Sequence, residues 1–321
     1  MTNTHATRSA DTVPDAPPGN WVDRIAPAAA KPYLRLARFD RPIGAWLLLF
    51  PAWWSQALAE LSLGRPYPNL WYMALFLVGA FVMRGAGCTY NDIVDRDYDA
   101  RVARTAARPI PSGQVSARQS LAFLIGLGLT GLMVLVQFNW FTVGLGAASL
   151  LLIAVYPFAK RYTFWPQAVL GLTFKWGALV GWAAVTGAVA LPALVLYLGS
   201  VLWTIGYDTI YAHQDKEDDI LVGVKSTALK FGAATQRWLA AFYAGAVVVW
   251  GAAGLLAGAH GCFLLVLALL AAQLAWQIAT LDIDDPANCL TRFRSNRLVG
   301  WLLLAGIVAD MALTAVRAGS L

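Results

Sequence analysis

Long apolar segments alternate with polar connections along almost the whole chain. Nine segments contain about 20 mainly apolar residues each, the length that an α-helix needs to cross a membrane. They lie near residues 42–60, 70–90, 118–136, 141–159, 165–186, 190–211, 237–258, 262–281 and 297–315. These segments are too long and too continuous for strands. The pattern therefore predicts an all-α polytopic membrane protein, folded as a nine-transmembrane-helix bundle.

The basic residues lie almost entirely on one side of this predicted bundle. Connections near 61–69, 137–140, 187–189 and 259–261 are short, whereas those near 91–117, 160–164, 212–236 and 282–296 are polar and charged. Of the 24 Lys and Arg residues, 20 precede the first helix or flank the charged connections, and only Arg65 and Arg317 lie opposite. Because Lys and Arg concentrate in cytoplasmic connections, we expect a cytoplasmic N-terminus and a periplasmic C-terminus. The net charge of +6 therefore reflects topology, and we expect no nucleic-acid partner.

Composition supports a membrane location and separates an N-terminal tail from the helical domain. Charged residues make up 13% of the chain, about half of the roughly 25% found in soluble domains. Residues 1–30 lack the apolar core of a signal peptide, and their three Asp residues argue against a mitochondrial transit peptide. We expect this tail to be disordered. Residues 31–321 then form one intramembrane domain, surrounded by lipid in a bacterial inner membrane.

The first charged connection begins with a regular acidic motif, NDIVDRDYD, at residues 91–99. If the preceding helix continues past residue 90, Asn91, Asp95 and Asp99 recur every four residues and share one face. Clustered carboxylates repel one another unless a cation neutralises them, and oxygen ligands suit Mg²⁺, which also binds phosphate oxygens. The alternative is a solvated helix end whose acids form salt bridges with the arginines that follow.

A second acidic motif favours the metal site over that alternative. The segment YDTIYAHQDKEDDILVGVKST, residues 207–227, places Asp215 and Asp219 four residues apart, with Asp208 and Tyr211 before them on the same helix face. Both motifs lie at membrane-proximal helix ends on the predicted cytoplasmic side. A diphosphate bridged by Mg²⁺ ions explains why two acidic clusters would close around one site.

Basic residues near both motifs are candidates for binding the remaining phosphate oxygens. These candidates are Arg104, Arg108, Lys160, Arg161 and Lys225. Tyr156 and Lys160 lie four residues apart at the end of the segment 141–159 and are expected to contact pyrophosphate. The alternative for this pair is an interfacial anchor.

The acidic motifs resemble those of the UbiA-type intramembrane prenyltransferases. NDIVDRDYD matches the first motif of that family and DKEDD matches the second. The similarity extends through RTAARPIPSG and YPFAKRYTFWPQAVLG, and covers the chain from about residue 31 to its end. Together with RFDRPIGAWLLLFPAWWS before and within the first helix, the motifs are most like those of family members that prenylate 4-hydroxybenzoate for ubiquinone biosynthesis.

The resemblance implies a fold, a reaction and a set of site residues. The fold is a nine-helix bundle with a central cavity capped on the cytoplasmic side. The reaction transfers a polyprenyl group from an allylic polyprenyl diphosphate to the ring carbon ortho to the phenol of 4-hydroxybenzoate. Tyr211 is a candidate to stabilise the allylic cation through its ring. The residues implied to bind Mg²⁺ and the diphosphate are Asn91, Asp95, Asp99, Asp215 and Asp219.

Two alternatives have different substrates. Another prenyltransferase of this type would use an acceptor from the haem, chlorophyll or menaquinone pathway. A cation-coupled transporter would also hold acids within the membrane, but such acids usually lie near the bilayer midplane, whereas these lie at helix ends. For a carboxylate-bearing acceptor, Arg161, Arg96 and Arg41 are the candidates to pair with that carboxylate, with Arg161 and Arg96 preferred to Arg41.

Lys175 departs from the family pattern, because a small or amide residue is expected at its position. A lysine facing lipid in the middle of a membrane helix costs about 3 kcal/mol. We therefore expect Lys175 to face the cavity or to pair with an acid. The alternative is a long side chain that reaches back to the cytoplasmic interface.

Overall fold

The structure is a computed structural model that describes residues 16–101, except Pro18, and residues 105–317. These parts of the chain contain helices and no strand. The helices are α1 (Trp21–Ile25), α2 (Lys31–Leu36), α3 (Ile43–Ser62), α4 (Leu70–Asp99), α5 (Ala117–Leu135), α6 (Trp140–Tyr162), α7 (Pro166–Phe174), α8 (Gly177–Thr186), α9 (Leu191–Ala212), α10 (Lys216–Val222), α11 (Thr227–Phe231), α12 (Thr235–Leu256), α13 (Gly261–Ala279) and α14 (Pro286–Arg317). The predicted all-helical membrane fold is confirmed.

Eight helical segments of the described residues are long and apolar enough to cross a membrane, one fewer than predicted. The difference concerns the first predicted span, which forms α3. This helix has 20 residues, but Ser55, Gln56 and Glu60 lie within it and are fully buried. Its polar groups lower its hydropathy, although it has the length of a membrane helix. The central cavity implied by the family resemblance stays a prediction.

The described residues form two compact units. The first unit lies within Met1–Pro42 and Val82–Thr130, and the second within Ile43–Phe81 and Gly131–Leu321. In the first unit, the rings of Tyr33 and Phe123 pack edge to face with centroids 5.3 Å apart. A Cβ at Gly85 on α4 would lie 3.0 Å from the Cβ of Ala37, so glycine permits close packing against the segment that follows α2.

The second unit has a core rich in tryptophan. Trp54 of α3 lies within 5.5 Å of the rings of both Trp203 of α9 and Trp250 of α12, measured between centroids. Helices α3 and α8 approach closely because residue 181 is glycine: a Cβ there would lie 2.3 Å from the carbonyl oxygen of Ala52. Close helix approach through small residues is typical of membrane proteins.

Part of the segment predicted as a disordered tail is helical. Asn20 caps α1 by accepting a hydrogen bond from the backbone N–H of Asp23. The Asp23 carboxylate pairs with Arg35 at 3.0 Å, and Trp21 Nε1 donates to the Phe39 carbonyl oxygen at 2.8 Å. These contacts attach residues 20–25 to the start of the helical domain. Residues 1–15 lie outside the described part of the chain.

Candidate active site

The first acidic motif lies on the last turns of α4. This helix continues to Asp99, which confirms that Asn91, Asp95 and Asp99 recur on one helical face. Asp95 is fully buried and Asp99 is 7% exposed. Carboxylates removed from water need a cation or a hydrogen-bond donor, so this face suits binding of a positive charge.

Two arginines of the first unit neutralise the end of α4. Arg108 places one guanidinium nitrogen 2.7 Å from Asp99 and 3.3 Å from Asp92. Arg38 donates to both carboxylate oxygens of Asp92 at 2.8 Å. The alternative of acids paired with a following arginine therefore describes part of this helix end. The predicted phosphate ligand Arg108 contacts the predicted metal ligand Asp99.

Sequence reasoning missed Arg38 and Asp92. Arg38 has a backbone φ of 61°, which is uncommon for a residue other than glycine and often marks a functional site. Asp92 lies within the first motif but off the face of Asn91, Asp95 and Asp99, so four-residue spacing did not single it out. The only signal in the sequence was a further Asp directly after Asn91 within the motif.

Two further basic candidates of the first unit lie near acids next to them in the sequence. Arg41 lies 3.8 Å from the Asp40 carboxylate. Arg96 is half exposed and lies 3.5 Å from the exposed Asp97. Arg104 lies outside the described residues.

The second motif does not continue α9 as one helix, contrary to the prediction. Helix α9 carries Asp208 and Tyr211 and ends at Ala212; Asp215 closes a 3-10 turn, and Asp219 lies in α10. The segment HQDKED is polar and contains two residue types, Asp and His, with modest helix propensity. Lys216 holds the start of α10 by donating to the Ile283 carbonyl oxygen at 3.3 Å and to the Asp284 carboxylate.

Local contacts satisfy the three acids that follow α13, which are Asp282, Asp284 and Asp285. Through its hydrogen bond and charge, Lys216 lowers the pKa of the exposed Asp284 carboxyl below its ordinary value. Asp282 and Asp285 accept hydrogen bonds from backbone N–H groups two residues ahead. This acidic group therefore acts in local turns.

The basic candidates of the second unit come together at the ends of two segments. The backbone N–H of Lys225 donates to the Lys160 carbonyl oxygen at 2.9 Å, and Lys225 Nζ donates to the Tyr162 carbonyl oxygen at 3.2 Å. The Arg161 guanidinium lies 5.2 Å from the centroid of the Phe158 ring. Tyr156 packs near Phe174, with centroids 6.5 Å apart. Positive charges from α6 and from the segment after α10 are thus neighbours.

The ring of Tyr211 is held by packing. Its centroid lies 4.7 Å from that of Phe293 on α14, while Tyr207, one turn earlier, lies 5.8 Å from the same ring. A fixed aromatic face at this position is compatible with the predicted role of Tyr211 in stabilising a cation. That role stays a prediction.

Lys175 lies inside the second unit and does not reach the end of its helix. The predicted single helix over 165–186 is interrupted here, because α7 ends at Phe174 and α8 begins at Gly177. The side chain is fully buried, and Nζ donates to the Leu47 carbonyl oxygen at 2.7 Å. The structure therefore contradicts a side chain that extends to the interface, while a place at the cavity or pairing with an acid stays a prediction.

Each motif, taken by itself, offers donors that fit Mg²⁺. The first motif has two carboxylates and one amide and the second has two carboxylates, so both provide only oxygen ligands, as a hard cation requires. Among the described residues, no three His, Cys, Asp or Glu side chains form a complete metal cluster. Mg²⁺ often binds through one or two carboxylates together with substrate phosphates, so the motifs suit an ion that arrives with a diphosphate.

The UbiA prenyltransferase family model matches residues 48–308. The chain belongs to this family. It is 47% identical over 292 residues to the mitochondrial 4-hydroxybenzoate polyprenyltransferase of Caenorhabditis elegans, covering 91% of this chain and 82% of that one. The mouse protein of the same name is 50% identical over 291 residues, covering 89% of this chain and 76% of the relative. The predicted family is thereby confirmed.

Solved structures show the same fold. A UbiA homologue from Aeropyrum pernix without ligand is 27% identical, has a TM-score of 0.69, and is matched over 82% of this chain and 98% of its own. A UbiA homologue from Archaeoglobus fulgidus bound to GPP and Mg²⁺ is 18% identical, with a TM-score of 0.59 over 88% of this chain and 99% of its own. The second similarity concerns the fold alone.

Proposed function

We propose that this enzyme transfers a polyprenyl group from an allylic polyprenyl diphosphate to the ring carbon ortho to the phenol of 4-hydroxybenzoate. The observation that carries this proposal is the identity of about half of all residues, over about nine-tenths of the chain, with relatives named as 4-hydroxybenzoate polyprenyltransferases. The matched acceptor in their names favours 4-hydroxybenzoate over haem, chlorophyll or menaquinone precursors.

Both Asp motifs bind the diphosphate through Mg²⁺ in this proposal. Asn91, Asp95 and Asp99 supply one set of oxygen ligands, and Asp215 and Asp219 supply the other. When bound, Mg²⁺ neutralises the negative charge that develops on the departing pyrophosphate. The Archaeoglobus homologue, solved with GPP and Mg²⁺, supports this choice of cation.

The basic residues stabilise the leaving group. The allylic carbon–oxygen bond breaks, and its electron pair leaves with the pyrophosphate. Lys160, Lys225 and Arg108, with Arg104, donate to phosphate oxygens, because guanidinium and ammonium groups form strong charge-assisted hydrogen bonds with phosphate. Such stabilisation of developing charge is often the largest electrostatic contribution to catalysis.

The aromatic acceptor completes the reaction. Its ring carbon ortho to the phenol forms a bond to the allylic carbon and then loses its proton, which restores aromaticity. The Tyr211 ring stabilises the positive charge of the allylic group before attack. Arg161 pairs with the acceptor carboxylate, while Tyr156 and Asp208 contribute to substrate binding beside Lys160 and Tyr211.

We assign the enzyme to a bacterial inner membrane, with both Asp motifs and the N-terminus on the cytoplasmic side. The distribution of Lys and Arg supports this orientation. The eight apolar helices support a multi-pass membrane protein. The relatives carry mitochondrial names, so the bacterial membrane in this proposal rests on the sequence alone.

A direct assay tests the reaction. Purified protein in detergent is incubated with 4-hydroxybenzoate, a series of polyprenyl diphosphates and Mg²⁺, and both the prenylated acid and pyrophosphate are measured. We expect equal amounts of the two products and none in excess EDTA. Prenylation of another aromatic acceptor alone would show that the family assignment holds and the acceptor assignment does not.

The two motifs are tested by replacing one carboxylate in each. Asp95→Asn and Asp215→Asn should each lower kcat by at least about 100-fold, the loss expected when one transition-state stabiliser is removed. Asp285→Asn is the matched control, because Asp285 is exposed and accepts a hydrogen bond within its own turn. Near-normal activity of Asp215→Asn would exclude the second motif from the site.

A further inference from the structure

Lys175 is a buried cation in the middle of a membrane-spanning segment, and the proposed reaction gives it no role. It lies where the segment Pro166–Thr186 is interrupted between α7 and α8. Its ammonium group lies 4.6 Å from the Trp203 ring centroid and 5.2 Å from the Tyr207 ring centroid. Both rings belong to α9, and ring faces attract cations. The ammonium therefore has two aromatic contacts on one helix.

The carbonyl oxygen that accepts from Lys175 is made available by a proline. In an α-helix, the carbonyl of residue 47 accepts from the backbone N–H of residue 51. Residue 51 is Pro51, inside α3, and proline has no N–H to donate. Lys175 Nζ donates to the Leu47 carbonyl oxygen at 2.7 Å instead. Lys175 and Leu47 thus form an interhelical contact at a carbonyl oxygen that Pro51 leaves without its usual helical donor.

Lys175 contacts the C-terminal half of α9, the part that precedes the second Asp motif. Trp203, Tyr207 and Tyr211 are four residues apart and share one helix face. Asp208 follows Tyr207 directly on α9. Trp203 is fixed from its other side by donating to Asn296 Oδ1 at 2.7 Å. The buried ammonium therefore links α3 to the part of α9 that precedes Asp215.

We propose that Lys175 is a positioning residue for prenyl transfer, anchored on the Leu47 carbonyl that Pro51 exposes. By holding Trp203 and Tyr207, it fixes the rotation of α9 and hence the place of Asp208, Tyr211 and the second motif. This proposal rests on the proposed function, since its readout is the prenyl-transfer rate. It differs from a purely structural role because it acts on catalysis in the folded enzyme.

The first test is Lys175→Met, which keeps a long side chain and removes the charge. We expect kcat to fall at least about tenfold, because small misplacements of reacting groups cost this much or more, while KM for both substrates changes less than about threefold. Asp310→Asn is the control: Asp310 is a buried acid of the same unit that contacts the start of α13. It should lower thermal stability without lowering kcat of the folded fraction.

The second test is Pro51→Ala, whose kcat remains informative by itself if Lys175→Met does not fold. Where both variants fold, the two changes form a double-mutant cycle. Alanine restores the N–H that donates to Leu47, so it competes with Lys175 for that carbonyl. We expect Pro51→Ala to lower kcat about threefold, and Lys175→Met to cost less in the Pro51→Ala background, because contacting residues are not additive.

Three results would overturn the positioning role. These are unchanged kcat in Lys175→Met, unchanged kcat in Pro51→Ala, and independent effects of the two changes. An inactive wild-type enzyme would instead contradict the proposed function, so the two failures are distinguishable.

Discussion

Arg161 is the residue whose predicted role is most specific to the acceptor. Its guanidinium lies over the Phe158 ring, and it follows Lys160 directly. Arg161→Ala should raise KM for 4-hydroxybenzoate by one to two orders of magnitude and leave KM for the prenyl diphosphate nearly unchanged. A charge-assisted hydrogen bond contributes about 1.5–3 kcal/mol, which corresponds to this range.

The comparison variant is Arg96→Ala, because Arg96 is the other predicted partner of the carboxylate and is half exposed beside the exposed Asp97. Steady-state kinetics with each substrate varied in turn measures both constants. If KM for the prenyl diphosphate rises instead in Arg161→Ala, Arg161 belongs to the pyrophosphate site. If Arg96→Ala alone raises KM for 4-hydroxybenzoate, the carboxylate binds to Arg96.

Arg38 makes the second residue-scale prediction, which concerns stability as well as catalysis. Its guanidinium donates to both oxygens of the buried Asp92, a geometry that a lysine ammonium does not reproduce. Arg38→Lys should lower the free energy of unfolding by about 2 kcal/mol, since it leaves a buried carboxylate partly unsatisfied. It should also lower kcat, because Asp92 lies beside Asn91.

Thermal unfolding in detergent and turnover measure the two effects of Arg38→Lys. Arg35→Lys is the control, since Arg35 makes a single 3.0 Å contact with a partly exposed Asp23. That change should cost under about 1 kcal/mol. Equal stability losses in the two variants would show that the pairing of Arg38 with two carboxylate oxygens contributes no more to stability than the single contact of Arg35.

For single residues, the sequence predicted the face of α4 on which the candidate ligands lie, but not all of their partners. Four-residue spacing placed Asn91, Asp95 and Asp99 on one face because that spacing is a local property of a helix. The Arg38–Asp92 pair joins residues 54 positions apart. No periodicity connects them, so tertiary packing alone decides this contact.

For whole helices too, the length could be predicted from the local sequence, whereas the interruption depends on tertiary contacts. The apolar segments predicted nine long helices because length and hydropathy are readable from the chain. The interruption at Lys175 was not predicted, because GLTFKWGALVGW is apolar on both sides of the lysine. Tyr197 donates to the Leu172 carbonyl oxygen at 2.7 Å and Trp176 donates to the Leu145 carbonyl oxygen at 2.9 Å. Partners from α9 and α6 therefore flank the break.

An element-scale prediction concerns the start of α13. Asp310, on α14, accepts hydrogen bonds from the backbone N–H groups of His260 and Cys262, the latter at 2.9 Å. It satisfies amide groups at a helix N-terminus and complements the positive end of that helix. Asp310→Asn retains one acceptor oxygen, so we expect stability to fall by about 1–3 kcal/mol.

Thermal unfolding of Asp310→Asn should be compared with that of Asp285→Asn. Asp285 also accepts from a backbone N–H near a helix start, that of Ala287 at 2.8 Å, but it is exposed. Water replaces the lost hydrogen bond there, so the loss should stay under about 0.5 kcal/mol. A loss as large in Asp285→Asn would mean that burial does not set the cost.

For the whole molecule, the distribution of Lys and Arg predicts the orientation in the membrane. Twenty of the 24 Lys and Arg residues lie on one predicted side, which predicts that both Asp motifs face the cytoplasm. The prediction depends on the order of the spans, so the interruption at Lys175 and the 3-10 turn before α10 do not affect it.

Cysteine accessibility tests this orientation. Cys88, Cys262 and Cys289 are first replaced by Ser, and single cysteines are then introduced at Gln114 or Ala188, both exposed. In intact cells that carry the protein in a bacterial inner membrane, a membrane-impermeant thiol reagent should label Ala188→Cys and not Gln114→Cys. Opened membranes should give labelling of both, which controls for reactivity. Labelling of Gln114→Cys alone in intact cells would reverse the topology and place the Asp motifs on the periplasmic side.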